Sequence, residues 1–186
     1  MSDFEFLSVL ISIVIGFGLT HLLGGLGRAF HFRRKSKMDA VHFAWTITVF
    51  FALILNWWVF LLWRGFENWT FTVFFTVILW TTSLYALALT LYPPSLSKKV
   101  DYRVLFETNR TWFLSTFTTM CLLDLTVTFI RDQAVPELSY AVFVGHFAVI
   151  TAIGIGVRNR KYDLVAAWYI AFAMAAWSFG VRHTLF

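Results

Sequence analysis

Residues 6–27, FLSVLISIVIGFGLTHLLGGLG, contain no Asp, Glu, Lys or Arg. A helix rises about 1.5 Å per residue, so about 20 apolar residues are enough to cross the hydrocarbon core of a bilayer. The preceding residues, Asp3 and Glu5 among them, are acidic where a secretory signal would be basic, and the run is longer than the apolar part of such a signal. We therefore interpret it as a retained transmembrane helix.

Five more stretches have a similar length. Residues 40–63, 69–92, 138–157 and 164–181 lack charged side chains, and residues 111–130 contain a single acid, Asp124. Of all residues, 59% are hydrophobic and only 13% are charged, against about 25% charged in soluble domains. Lipid offers no partner to backbone groups, and the runs lack the strand alternation of a membrane barrel. We predict an all-α integral membrane protein, one domain over residues 1–186, forming a bundle of six transmembrane helices.

The basic residues predict the orientation of this bundle. Twelve of the fifteen Lys and Arg residues fall in the first, third and fifth connections, and the other three are Arg64, Arg131 and Arg182. Connections rich in Lys and Arg stay in the cytoplasm, so we predict both termini on the outer side. We expect the membrane to be the bacterial inner (plasma) membrane. Because the net charge of +5 is explained by these connections, we predict no nucleic-acid partner.

Two basic segments are predicted to meet the lipid surface. In residues 95–110, Leu96, Val100 and Val104 recur every four residues among charged side chains, which predicts a short cytoplasmic helix lying in the interface. The connection after the first helix carries a basic patch that suits anionic lipid headgroups, although topology alone would also explain it. Its residues are Arg33, Arg34, Lys35 and Lys37.

Small residues line one face of the first predicted helix and recur on the fifth. In lipid, such faces let helix backbones approach closely and gain van der Waals contact. We predict that they form a helix-packing or oligomer face, within the protomer or between protomers, with the lining of a pore as the alternative. The residues are Ser8, Ser12, Gly16, Thr20 and Gly24 on the first helix and Gly145 and Gly156 on the fifth.

Asp124 is the one formally charged residue inside a predicted span. An unpaired carboxylate in lipid costs at least ~2.5 kcal/mol, so this side chain must face protein or water. Asn56 lies at a similar depth in the second predicted helix, and Glu5 lies near the outer end of the first. We predict that these residues and Asp124 form a polar cluster that suits a cation or a proton. Alternatively, Asp124 hydrogen-bonds a neighbouring helix or reaches toward Arg131.

Three histidines carry a second set of hypotheses. His146 lies near the middle of the fifth predicted helix, and His21 lies about two turns from the inner end of the first. Each either hydrogen-bonds a neighbouring helix or joins a proton pathway. His42 matches His21 in depth better than His146 does, but no helix carries two histidines a haem-spanning distance apart. We predict no cofactor, with haem as a minor alternative, and no metal site, since Cys121 is the only cysteine.

The leading functional prediction is a small channel or transporter that passes an ion, a proton or a small solute, working as a homo-oligomer. The chain has no glycine-rich phosphate loop, no HExxH and no nucleophile elbow, so an enzyme is not favoured. One alternative is a structural or accessory subunit that binds another membrane protein. The other is a haem- or quinone-binding electron-transfer protein. Membrane lipids are partners in every case.

Overall fold

The computed structural model describes residues 3–96 and 99–180. Within them the helices are α1 Asp3–His31, α2 Ala40–Phe60, α3 Phe71–Leu91, α4 Tyr102–Asp132, α5 Leu138–Gly156 and α6 Arg160–Gly180, and a 3₁₀ turn, Leu61–Gly65, extends α2. All six helices are long and apolar enough to cross a membrane, which confirms the predicted class. Three parts of the predictions lie outside the described residues: residue 181, which ends the predicted sixth span; Arg182; and residues 97–98 of the predicted interfacial segment.

Side chains close the first turns of three helices. The Asp39 carboxylate accepts from the N–H of His42 at 2.9 Å, and the Thr70 hydroxyl accepts from the N–H of Val73 at 3.3 Å. Asp101 accepts from two N–H groups of the first turn of α4. The first N–H groups of a helix have no partner within the helix. These capping residues therefore set where α2, α3 and α4 begin.

The separate interfacial helix predicted over residues 95–110 is wrong. From Tyr102 onward these residues form the first turns of α4, which continues without a break to Asp132. Residues 102–132 contain no proline or glycine that would stop a helix. The buried stripe of α4 also begins in this region, since Phe106 and Phe113 are both buried. The predicted break at residue 111 therefore has no physical cause.

The second helix occupies the middle of the bundle. It packs against α1, α3, α4 and α6, while α4 also packs along α3 and α5. Trp45 of α2 is fully buried, and its ring centroid lies 4.9 Å from that of Phe113 and 5.7 Å from that of Phe117 on α4. Edge-to-face aromatic contacts of this kind add to the burial of the rings. They fix α2 against α4 at the centre of the protein.

Two histidines close the end of α3. The last carbonyls of a helix have no partner within the helix. His42 Nε2 lies 2.9 Å from the carbonyl oxygen of Leu91, and His21 Nε2 lies 2.6 Å from that of Tyr92. A carbonyl can only accept, so both rings carry a proton on Nε2. These contacts correspond to the hydrogen-bonding alternative offered for His21, and they occupy one ring nitrogen of each possible haem ligand.

The first, third and fifth connections gather at one end, which we call the basic end. There the Lys37 N–H donates to the Val100 carbonyl at 2.9 Å, and the Lys37 Nζ lies 3.2 Å from the Asp101 carboxylate. The hydrogen bond from Lys37 lowers the pKa of the Asp101 carboxyl below its ordinary value. Arg160, at the start of α6, forms an ion pair with Asp39 before α2. The three connections are therefore held together by side chains as well as by the helices.

Candidate functional site

A cavity of about 40 Å³ lies between α2, α4, α5 and α6. Its walls are mostly apolar and aromatic, with Phe117 and Phe147 among them, and its polar groups come from Asn56, Asp124 and Tyr140. One water needs about 10–15 Å³ of such space. The cavity therefore has room for a few waters or one small ion, but not for an organic solute.

A second cavity, of about 80 Å³, lies toward the end of the bundle opposite the basic end. Val59, Tyr140 and Trp177 line both cavities, so the two are neighbours. The second is lined by charged groups as well, including Arg131 and Glu137. Together the cavities lead from the α4–α5 connection to a buried carboxylate.

That carboxylate is Asp124, whose residue is only 4% exposed. The Tyr140 hydroxyl donates to it at 2.6 Å. Arg131, offered as its ion-pair partner, instead holds Asp132 at 2.7 Å. Across residues 3–96 and 99–180, no Lys, Arg or His lies within ion-pair distance of Asp124. The acid is thus supported by a phenol and carries no paired cation.

The other residues of the predicted polar pathway divide into two groups. Asn56 lines the same cavity as Asp124 and donates its amide to the Ala52 carbonyl at 2.7 Å. His21, on α1, bonds the Tyr92 carbonyl at the end of α3, and Glu5 is exposed near the start of α1. The His146 Nδ1 lies 2.9 Å from the Val142 carbonyl of its own helix, and the ring packs among aromatic side chains. Only Asn56 and Asp124 of the predicted pathway therefore share a cavity.

Tyr140 was not predicted from the sequence. A tyrosine near the end of a transmembrane helix has the ordinary position of an interfacial aromatic side chain. Nothing in the residues around it distinguishes a phenol that faces water from one that donates to Asp124. The contact depends on how α4 and α5 pack after the short connection between them.

A buried ion pair at the basic end was also missed. Arg110 forms two hydrogen bonds to the Asp163 carboxylate, each 2.7 Å long, and donates to the carbonyls of Gly154 and Val157 at 2.6 and 2.8 Å. The Arg110 and Asp163 side chains are 8% and 6% exposed. A signal for it existed. Arg110 follows Phe106 by four residues and precedes Phe113 by three, so helical periodicity puts all three on one face.

The small-residue face of α1 lies on the outside of the protomer. A Cβ built on Gly16, Gly24, Gly145 or Gly156 meets nothing within 4 Å. Thr20 is exposed, Ser8 bonds the carbonyl of Glu5, and Ser12 accepts from the exposed Trp57. Three other glycines pack inside the protomer: Gly18 against Leu53, Gly25 against Tyr92, and Gly154 against Leu114 and Tyr162. Packing within the protomer is therefore not the role of the predicted glycines.

The predicted lipid-binding patch after α1 is exposed. Arg33, Arg34, Lys35 and Lys37 all lie on the surface of the basic end. Arg33 donates to the Phe30 carbonyl at 3.1 Å, and Lys37 pairs with Asp101. Two of the four cations thus also hold the connection in place, while Arg34 and Lys35 are exposed.

The cavity next to Asp124 brings together an acid, a phenol and an amide with room for water. Such a set can hold a proton or coordinate a small cation through oxygen atoms. In the part of the chain that the structure describes, no three His, Cys, Asp or Glu side chains come together as a metal-binding group. Comparison of the chain with known protein families, with curated proteins and with solved structures finds no match in any of the three.

Proposed function

We propose that this membrane protein passes a proton or a small cation, with Asp124 as the group that holds it part-way across the bilayer. The observation that carries the proposal is the buried Asp124 carboxylate at the end of two neighbouring cavities, bonded to Tyr140 and without a cationic partner. An acid in a transmembrane helix is costly to insert and marks ion pathways and proton relays.

The size of the cavity limits the cargo. A space of about 40 Å³ holds a few waters, through which a proton can move, or one ion that has lost most of its water. The oxygen atoms of Asp124, Tyr140 and Asn56 suit either one. The small solute that was the third predicted cargo does not fit this space unless it is no larger than a few waters.

The pathway would be closed toward the basic end in this conformation. Along α4 the next polar contact is between the hydroxyls of Thr118 and Thr151, 2.8 Å apart, and both hydroxyls also bond carbonyls of their own helices. Thr118 lies about 9 Å along the helix from Asp124, and the apolar rings of Phe117 and Phe147 line the cavity. Passage therefore requires a movement of α5 against α4, or waters that enter between them.

Flux measurements in proteoliposomes test this proposal. We expect the wild-type protein to acidify vesicles under a potassium diffusion potential, measured with a trapped pH-sensitive dye, or to admit Na⁺ down a gradient. Asp124→Asn should lower the flux to that of protein-free vesicles, because the amide binds no proton. Tyr140→Phe should lower it several-fold, because it removes the hydrogen bond that orients the acid.

Glu67→Gln is the matched control, since it neutralises an exposed acid in the α2–α3 connection and should leave the flux unchanged. Full flux through Asp124→Asn would contradict the proposed role. If the wild type passes neither protons nor Na⁺, the accessory-subunit alternative gains support. A haem or quinone role would instead require an absorbance band in the purified protein.

We also propose that the protein assembles as a homo-oligomer through the face of α1 that points away from the rest of the protomer. Support comes from Gly16 and Gly24, which leave an open face that no described side chain of the protomer fills, and such faces favour close contact between helices in lipid. Gly16→Leu and Gly24→Leu should convert the oligomer to monomer, measured by mass photometry or cross-linking in bilayers. Ala176→Leu adds the same side chain to an exposed position of α6 and should not. Assembly unaffected by all three changes would count against this face.

The bacterial inner membrane stays a prediction, as does the absence of an enzymatic activity.

A further inference from the structure

A cavity of about 580 Å³ opens at the basic end, between the start of α4 and the α5–α6 connection. This volume lies within the range of about 300–1,000 Å³ typical of small-molecule sites. Its charged lining consists of Arg103, Arg110, Arg158 and Arg160 with Glu107 and Asp163. Four guanidinium groups against two carboxylates leave an excess of positive charge, reduced in part by Asp39, which pairs with Arg160 from outside the lining.

The four guanidinium groups are not equally occupied. Arg110 is held by Asp163 and two carbonyls, yet its Nη1 is buried without a hydrogen-bond partner. Arg103 pairs with Glu107 at 2.9 Å on the surface. Arg158 is exposed, and within the described ranges no acid or carbonyl pairs with it. The cavity therefore keeps donors that the protein itself does not satisfy.

We propose that this cavity binds a phosphate group. Guanidinium groups offer planar pairs of N–H donors that match phosphate oxygens. They are also more weakly hydrated than ammonium groups. The hydroxyls of Thr108 and Thr111 also line the cavity and can donate to the same oxygens. The binding residues are Arg158 and Arg160 with Arg103, while Arg110 holds the floor of the site through Asp163.

The phosphate has two sources. The cavity lies at the end of the helices where lipid headgroups are found, so the phosphate can belong to an anionic lipid, or it can be free in solution. Glu107 competes with an anion from either source, because its carboxylate lies 2.9 Å from Arg103 and 3.5 Å from Arg160. Removing its charge should strengthen binding from either source.

Two measurements on the full-length protein distinguish the sources. The first is native mass spectrometry of protein offered equal amounts of phosphatidylglycerol and phosphatidylcholine in neutral detergent. The second is calorimetric titration with inorganic phosphate in the absence of phosphatidylglycerol. Preferential retention of phosphatidylglycerol identifies a lipid headgroup, and heat of binding from inorganic phosphate identifies a soluble ligand.

Variants then assign binding to this cavity. Arg158→Gln should weaken the observed binding at least about fivefold, Arg158→Lys should weaken it less, and Glu107→Gln should strengthen it. Lys161→Gln removes the same charge from the neighbouring turn without lining the cavity and should change binding less than twofold. Equal losses in Arg158→Gln and Lys161→Gln would overturn the proposal, since general surface charge would then explain them. So would a wild-type protein that prefers neither phosphatidylglycerol nor inorganic phosphate.

Discussion

Arg110→Gln is expected to lower the free energy of unfolding by ~3–5 kcal/mol, because it leaves the Asp163 carboxylate buried without its cation. It also removes the donor to the Gly154 and Val157 carbonyls at the end of α5. The ion pair joins α4 to both α5 and α6. Equilibrium unfolding in mixed micelles of dodecylmaltoside and sodium dodecyl sulfate measures the loss.

Arg103→Gln is the control for this change. It removes the same charge nearer the start of α4. There the ion pair of Arg103 with Glu107 is exposed and is worth only about 0–1 kcal/mol. Replacing both Arg110 and Asp163 by leucine should cost less than the sum of the single changes, since no unpaired charge is left in the interior. A cost for Arg110→Gln no larger than that for Arg103→Gln would contradict the interpretation.

The second large effect is expected at Gly25. A Cβ built there lies 2.8 Å from Cβ of Tyr92 and closer still to its ring. The ring cannot swing away freely, because it packs edge-on against His42 with centroids 4.8 Å apart and its hydroxyl lies 3.1 Å from that of Thr46. Overpacking of a filled interior costs about 1–3 kcal/mol. Gly25→Ala should therefore reduce stability by about that amount in the same unfolding assay.

The adjacent residue supplies a control of the same chemistry. A Cβ at Gly24 meets nothing within 4 Å, and alanine favours a helix over glycine by up to about 1 kcal/mol. For unfolding of the monomer, Gly24→Ala should thus be neutral or slightly stabilising. If both variants lose stability equally, helix composition and not the contact with Tyr92 is responsible. If neither does, Tyr92 moves more easily than its contacts indicate.

Helical periodicity together with the position of α3 distinguishes Gly24 from Gly25. The sequence shows only that Gly16, Gly24 and Gly25 are small. The apolar positions Leu7, Ile11, Ile15 and Leu22 mark the buried face of α1, and Gly25 follows Leu22 by three residues on that face. The four-residue spacing of the small residues instead predicted a packing face on the opposite side of α1, which no other described helix of the protomer covers.

The candidate site was predicted only in part for a related reason. Asp124 stands out because a carboxylate within an apolar run is rare, and Asn56 follows from its depth. The contact of Tyr140 with Asp124 depends on how α4 and α5 pack against each other. The pair of Arg110 and Asp163 joins helices that are distant in the sequence. Their residue types are common at membrane boundaries, so composition does not distinguish the paired ones from the solvated ones.

The six spans that begin with residues 6–27 follow from the sequence alone, because the length and apolarity needed to cross a bilayer are local properties of each run. The capping contacts of Asp39 and Asp101 are also local, but the start of α4 at Tyr102 was not predicted. Tertiary structure decided which face of α1 is buried, which phenol supports Asp124 and which arginine is neutralised inside the bundle. In lipid no hydrophobic force selects one helix face over another, so those choices come from shape and hydrogen bonding between helices, which no single span contains.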